Sequence, residues 1–230
     1  MLIFFHIPKN GGTNMKSIID KIDQHDKITY ATHFKDLLNY NPYKKILKDN
    51  NPIEYRIFNK FIENNLNYKS FTLIRNPFYR CLSTYKWIFA KYEDNGIDLV
   101  PERRRICIIN NSPIILDKNT SFLKFVKLIP DILKSKTDKY NNLKWHLQPQ
   151  FNLIVDKNKK IDYIFKLENF DNEIRSLFSN FELEFPDLHT KRNKSIDTKL
   201  DYFNKEIIDI IKSVYYNDFI LLNYDIHELD

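Results

Sequence analysis

Three short apolar runs, each followed by a turn and then by a helical stripe, constrain this chain more than any other feature. The first is LIFFHI at residues 2 to 7, which leads into a loop from Pro8 to Thr13. An apolar run without alternation suits a strand covered on both faces. From Asn14 onward Met15, Ile18, Ile19 and Ile22 recur at i, i+3, i+4 and i+7, one helical stripe, while Lys16, Asp20 and Asp23 lie off it. The second unit is SFTLIRNPFYRCLSTYKWIF, in which Phe71 to Ile74 read as a buried strand and Asn76 with Pro77 as a helix N-cap and first helical position. Phe78, Leu82, Tyr85 and Phe89 then form a stripe. Arg80, Ser83, Thr84 and Trp87 fall opposite it, within roughly one third of the circumference, and are expected to form a polar face of their own. The third unit, KIDYIFKLENFDNEIRSLFSNF, has a strand around Tyr163 to Lys166 and a helix presenting Phe170, Ile174, Leu177 and Phe181.

Strands alternating with helices imply right-handed crossovers and a parallel sheet, so the expected fold class is α/β. A further short strand is expected around Ile28 to Tyr30, and a C-terminal helix from Leu200 to Tyr216 on the stripe Leu200, Phe203, Ile207, Ile210, Ile211 and Val214. No repeat or low-complexity linker divides the 230 residues, and a 43% hydrophobic, 15% aromatic composition can fill the core of one domain, 1–230. Residues 91–142 are the least regular part, with ERRRICIIN and SFLKFVKLIPDILK. They read as an insertion over the sheet near the substrate site, or equally as a charged, solvated surface helix.

A net charge of +6 and a pI near 9.0 favour an anionic partner without choosing among nucleic acid, acidic polysaccharide, membrane surface and nucleotide. Two cysteines, Cys81 and Cys107, exclude a multi-bridge secreted framework; they read as reduced core residues, with a single disulfide as the alternative. There is no basic leader with a cleavage site and no apolar stretch of about 18 residues, so a soluble, cytoplasmic protein is expected.

The chemistry concentrates in HIPKNGGTN, because two of the chain's three glycines, Gly11 and Gly12, stand there together. A strand end, exposed amides at flexible glycines, a lysine, a threonine hydroxyl and a helix N-terminus are the parts of an anion cradle. Lys9 precedes both glycines, whereas a Walker loop puts its lysine after the second. A tight turn needing glycine for geometry alone is the competing reading. In open α/β sheets ligands bind beyond the carboxyl ends of the strands, and Arg75 ends the second strand much as Lys9 follows the first. Ser83 on the next helix could serve the same anion, as an Arg with a Ser makes a phosphate clamp. Arg75 could instead pair with a helix carboxylate. Two anion sites at neighbouring strand ends suit a ligand with two separated charged groups.

FFHIPKNGGTNM resembles the 5′-phosphosulfate loop, and LIRNPFYRCLSTY the 3′-phosphate motif, of sulfotransferases that use 3′-phosphoadenosine 5′-phosphosulfate (PAPS). WHLQPQFNLI and KIDYIFKLENF are similar to the HWxPQ and K-x-E-x-[FL] blocks of the membrane-type carbohydrate sulfotransferases, and SVYYNDFILLNYD to their Y-x-x-D-[FY]-x-x-[FL]-x-Y terminus. Residues 40–68 and 91–140 match nothing in that pattern. The resemblance implies a P-loop-like central parallel sheet flanked by helices. It implies that Lys9 meets the bridging oxygen and 5′-phosphate, helped by the amides of Asn10, Gly11, Gly12, Thr13 and Asn14 and by the Thr13 hydroxyl. Arg75 and Ser83 would hold the 3′-phosphate, and Lys191, Arg192, Lys194 and Ser195 of the loop TKRNKS would close over the nucleotide.

Sulfuryl transfer needs an in-line approach with charge building on the leaving group, which a lysine and a helix N-terminus are suited to stabilise; no metal is required. The acceptor hydroxyl needs a general base, for which His33, His146, Asp20 and Glu168 are candidates. His33, in ITYATHFKDLL, resembles the GH position of uronyl-type carbohydrate sulfotransferases and is the first choice; by residue type alone it reads as a packing or surface histidine. His146 is the second, through a Trp-His pair near a sugar, or as a residue that orients its own loop.

The expected activity is therefore PAPS-dependent transfer of a sulfuryl group to a hydroxyl, most often a saccharide's, with adenosine 3′,5′-bisphosphate (PAP) as product, and without nucleic acid, membrane span or metal. A P-loop kinase-like ATP enzyme is one rival, opposed by the order of Lys9 and the glycines. A non-catalytic basic glycan- or nucleic-acid-binding module is another, opposed by the scatter of the lysines.

Overall fold

The computed structural model describes residues 2–22, 27–31, 69–89, 93–94, 97–98, 106–109, 112–116, 119–135, 142–156, 159–186 and 200–230. The chain divides into two compact units, Met1–Ile74 with Leu153–Lys191, and Arg75–Asn152 with Arg192–Asp230.

The first unit is built on four parallel strands, β1 (Leu2–Phe5), β2 (Ile28–Ala31), β3 (Lys69–Ile74) and β10 (Tyr163–Lys166), in the order β10-β3-β1-β2. The strand expected around Ile28 is thus real, and the sheet is parallel throughout. β1 and β3 are buried on both faces, which is why LIFF and SFTLI show no alternation. Leu2, Phe4, Phe71 and Leu73 share a core with Met15 and Ile18 of helix α1 (Gly12–Ile19) and with Ile174 and Phe178 of α6 (Phe170–Asn180). Phe4 and Phe71 meet across the β1–β3 pair with ring centroids 5.2 Å apart. Both helices follow the stripes expected of them except at their ends: Ile22 lies beyond α1 and Phe181 beyond α6, where Phe178 is buried in its place. The Thr72 hydroxyl donates to the Phe5 carbonyl at 2.7 Å, fastening the end of β1 to its neighbour. Between α5 (Gln150–Ile154) and β10 the short strands β8 (Val155–Asp156) and β9 (Lys159–Lys160) form a hairpin.

The second unit is mainly helical: α2 (Pro77–Phe89), α3 (Phe122–Lys134), α4 (Asn142–Leu147), α7 (Lys205–Val214) and α8 (Tyr216–Leu221). It also carries two hairpins, β4 (Glu93–Asp94) with β5 (Ile97–Asp98), and β6 (Ile106–Ile109) with β7 (Ser112–Ile115). Phe78 and Leu82 of α2, Phe125 and Ile129 of α3, Ile211 of α7 and Phe219 of α8 make its core. Asn76 caps α2 as its sequence requires, its Oδ1 accepting from the Phe78 amide at 2.9 Å with Pro77 as the first helical residue. α3 is the helix expected in SFLKFVKLIPDILK, and it is no solvated surface helix. Phe122, Phe125, Val126, Ile129 and Ile132 are all buried, and Ser121 Oγ caps it by accepting from the Lys124 amide at 3.2 Å.

The expected helix 200–216 is interrupted. Leu200–Tyr202 is one 3-10 turn, α7 begins at Lys205 and a separate α8 follows. Asn204 causes the break, because its side chain accepts from the Ile207 amide at 2.9 Å, a cap geometry that a helix interior does not allow. Phe203 packs edge-on to Phe78 with centroids 5.9 Å apart, so the turn before the cap is held by the core.

Candidate functional site

The loop after β1 reaches α1 through two left-handed residues, Lys9 at φ 70° and Gly11 at φ 79°. Only Gly11 takes that conformation without strain; a lysine held there costs on the order of 1 kcal/mol. Asn10, fully buried between them, donates from Nδ2 to the Leu73 carbonyl at 2.9 Å and from its amide to the Ile7 carbonyl at 3.4 Å. The loop is thus tied to the carboxyl end of β3. Gly11 occupies the N-cap and offers no side chain, and the first bond of α1 runs from the Met15 amide to the Gly11 carbonyl at 3.0 Å. By position, the amides of Gly12, Thr13 and Asn14 have no acceptor within their own helix, and the Thr13 and Asn14 side chains are exposed beside them. The parts expected of an anion cradle therefore come together, except that Asn10 acts as a tie, its amide engaged with Ile7.

The two glycines serve different purposes. Gly11 is required by its backbone angle, and a Cβ there would also lie 2.6 Å from Leu167 Cδ1. Gly12 is required by its neighbour: a Cβ would fall 2.0 Å from both Cδ2 and Nε2 of His6, whose ring lies directly against the glycine. Gly12→Ala is accordingly expected to lose about 1–3 kcal/mol by overpacking. Adding His6→Ala should restore most of it, read as the midpoint of denaturant unfolding in the single and double variants. An unchanged midpoint in Gly12→Ala would show that His6 swings away freely.

In the second unit, Arg75 is the residue after β3 and is half-buried. Its backbone is held on both sides by one side chain: the Arg75 amide donates to Gln150 Oε1 at 2.9 Å, and Gln150 Nε2 donates to the Arg75 carbonyl at 2.8 Å. Gln150 is itself fully buried, and its amide donates to Asp218 Oδ2 at 2.8 Å, while the Phe151 amide donates to Asp218 Oδ1 at 2.8 Å. Asp218 so caps the start of α5. Burial pushes its carboxyl above the usual carboxylate range, an effect opposed by the positive charge of Arg80 and then by those amides.

Arg80 departs from the polar face expected for α2. It is 2% exposed, and it donates from Nη1 to the Gln148 carbonyl at 2.9 Å and from Nη2 to the His146 carbonyl at 3.1 Å. Burial pulls its guanidinium below the usual arginine range, which still leaves it charged. Thr84 is buried too, bonding back to the Arg80 carbonyl at 3.1 Å. Only Ser83 and Trp87 of the expected polar set are half-buried rather than buried. Tyr215, also buried, donates to the Leu147 carbonyl at 2.9 Å. Segment 146–151 is thus gripped by Arg80, Tyr215 and Asp218.

His146 lies in α4, and its ring stacks on Trp87 with centroids 4.1 Å apart and planes 17° apart. Asp20 caps the far end of α1, about 12 Å along the helix from the loop at 1.5 Å per residue. Glu168 is exposed in the 3-10 turn Leu167–Asn169, whose Leu167 touches Gly11. His33, Lys191, Arg192, Lys194 and Ser195 lie outside the described residues. Cys81 is free and buried, its thiol pushed up to about 12 by burial, and so carries no chemistry. Among the described residues no three His, Cys, Asp or Glu side chains gather as a metal site, and no helix is long and apolar enough to cross a membrane.

Sequence reasoning missed Gln150 and Asp218. Both stand in the blocks WHLQPQ and SVYYND, but a lone Gln and a lone Asp there carry no local sign of the partners they meet. No curated protein matches the chain. A model described as "Sulfotransferase family" matches residues 1–225, nearly the whole length and both strand-end motifs, and the chain belongs to that family.

Proposed function

We propose that the protein transfers a sulfuryl group from PAPS to a hydroxyl of a carbohydrate, leaving PAP. The observation that carries this reading is the path from β1 into α1, where left-handed Lys9 and Gly11 deliver the chain to a helix start with no side-chain cap. Such strain is kept where function needs it, and amides at a helix N-terminus suit an anion. In this reading the amides of Gly12, Thr13 and Asn14, the Thr13 hydroxyl and the Lys9 ammonium hold the 5′-phosphosulfate. Arg75 and Ser83 hold the 3′-phosphate, with Lys191, Arg192, Lys194 and Ser195 closing over the nucleotide. The donor supplies an activated sulfuryl group on a phosphate leaving group. Lys9 stabilises the negative charge on that leaving oxygen, and His33 accepts the proton of the acceptor hydroxyl. His146, whose ring stacks on Trp87, is the second candidate for that role. A basic chain, with net charge +6, suits an acidic glycan as acceptor.

Thermal shift tests the donor site. PAP at a hundredfold excess over its Kd is expected to add about 2.7 kcal/mol of stability, or roughly 5–10 °C at this chain length. ATP, with or without magnesium, is expected to give a much smaller shift. Equal shifts, or none with PAP, would overturn the reading and favour a kinase-like or non-nucleotide role.

A further inference from the structure

We infer that Gln150 is a positioning residue for nucleotide recognition: it sets the direction in which Arg75 presents its guanidinium, and Asp218 sets Gln150. The inference rests on the reading of Arg75 as a 3′-phosphate ligand and goes beyond it. β3 ends at Ile74, paired with Lys166 of β10, and Arg75 is the first residue past that ladder. A backbone leaving a strand there has an amide and a carbonyl with no ladder partner, and its φ and ψ are free to vary. The Gln150 carboxamide takes both groups at 2.9 and 2.8 Å, as one more rung would. One planar group making two bonds fixes the orientation of the Arg75 residue plane and therefore the root of its side chain.

The carboxamide cannot turn over or withdraw. Its own backbone amide is held by Asp218 Oδ2 at 2.8 Å, its Nε2 lies 3.4 Å from the same oxygen, and the residue is fully buried. That proximity also assigns the carboxamide's sense, since the NH2 end faces the carboxylate and the oxygen is left for the Arg75 amide. Asp218 belongs to the rigid start of α8, and Arg80 and Tyr215 fasten the carbonyls on the other side of the same turn. The positions are 75 and 68 residues apart in sequence, so the arrangement joins three separate parts of the chain behind one arginine. A phosphate ligand needs its guanidinium aimed in advance, because aiming it on binding costs affinity.

Calorimetric titration of PAP and of adenosine 5′-monophosphate into the intact protein tests this, since only the first carries a 3′-phosphate. Gln150→Met removes both bonds to Arg75 at similar volume. It is expected to weaken PAP about tenfold and to leave the monophosphate unchanged, a loss on the scale of one or two neutral hydrogen bonds. In an Arg75→Ala background the same change should have no further effect on PAP, because the clamp then has no guanidinium to aim. Gln150→Asn keeps a carboxamide in the buried site but is one methylene too short to span both groups. It should show the same selective loss and serves if the methionine variant does not fold. A wild type that does not prefer PAP to the monophosphate would remove the 3′-phosphate reading of Arg75. A wild type that does prefer it, with variants that weaken both nucleotides alike or neither, would overturn the positioning role alone.

Discussion

Asp218→Ala is expected to lower the thermal midpoint by on the order of 10 °C. The carboxylate is fully buried and accepts the amides of Gln150 and Phe151, each at 2.8 Å, at the start of α5. Truncation leaves both donors without this partner, one of them buried and the other partly so, at about 1–3 kcal/mol apiece. It also removes a negative charge that supports the buried Arg80 guanidinium. These costs overlap because the groups share one site, so the expected total is about 3–5 kcal/mol rather than their sum. At 2–4 °C per kcal/mol for a chain of this length, that is the stated shift. Asp218→Asn keeps one carbonyl acceptor and should lose less. A midpoint within about 2 °C of wild type for Asp218→Ala, measured by circular dichroism, would show that the turn at 146–151 is held by Arg80 and Tyr215 without it.

The same residues show where a sequence is legible and where it is not. LIFF, SFTLI and YIFK announce buried parallel strands because a strand covered on both faces cannot alternate, and that signal is local. The Asn76-Pro77 helix start is local too, a cap and a first-turn residue side by side. Helical periodicity puts Arg80 and Thr84 on a polar face, yet an arginine that bonds two carbonyls 66 and 68 residues away has the same letters as one in water. Helical periodicity sorts residues by face and cannot say whether the opposite face is wet. The α3 segment misleads for the converse reason: its lysines are conspicuous, while five buried apolar side chains on one stripe decide where it sits. Asn204 was legible in principle as a cap, but a continuous apolar stripe through it concealed the break. Gln150 could not have been singled out by its own neighbourhood, since its meaning lies in Arg75 and Asp218. The glycine pair was half legible: φ explains Gly11, whereas Gly12 is explained by the ring of His6, whose orientation no local pattern records.

Lys9 joins strain and chemistry in one residue, which makes its replacement the sharpest test of the proposed reaction. Lys9→Ala is expected to lower transfer, followed as release of PAP from the donor with a glycan acceptor, by about a thousandfold, the scale seen when a donor aimed at developing charge is removed. The fold should survive, because the neighbouring tie from Asn10 to Leu73 does not depend on the lysine side chain. Lys9→Gly should lose transfer equally, yet it should be more stable than Lys9→Ala by about 1 kcal/mol, since at φ 70° glycine escapes the clash that any Cβ meets. A purely structural lysine would give the opposite pairing, with activity following stability across the two variants. His33→Ala separates the other half of the mechanism, as it should reduce kcat while leaving PAP affinity at the wild-type value. Activity above a tenth of wild type in Lys9→Ala would remove the lysine from the bond that breaks. The left-handed turn would then be a device for bringing amides to the anion, with Gly12, Thr13 and Asn14 carrying the charge alone.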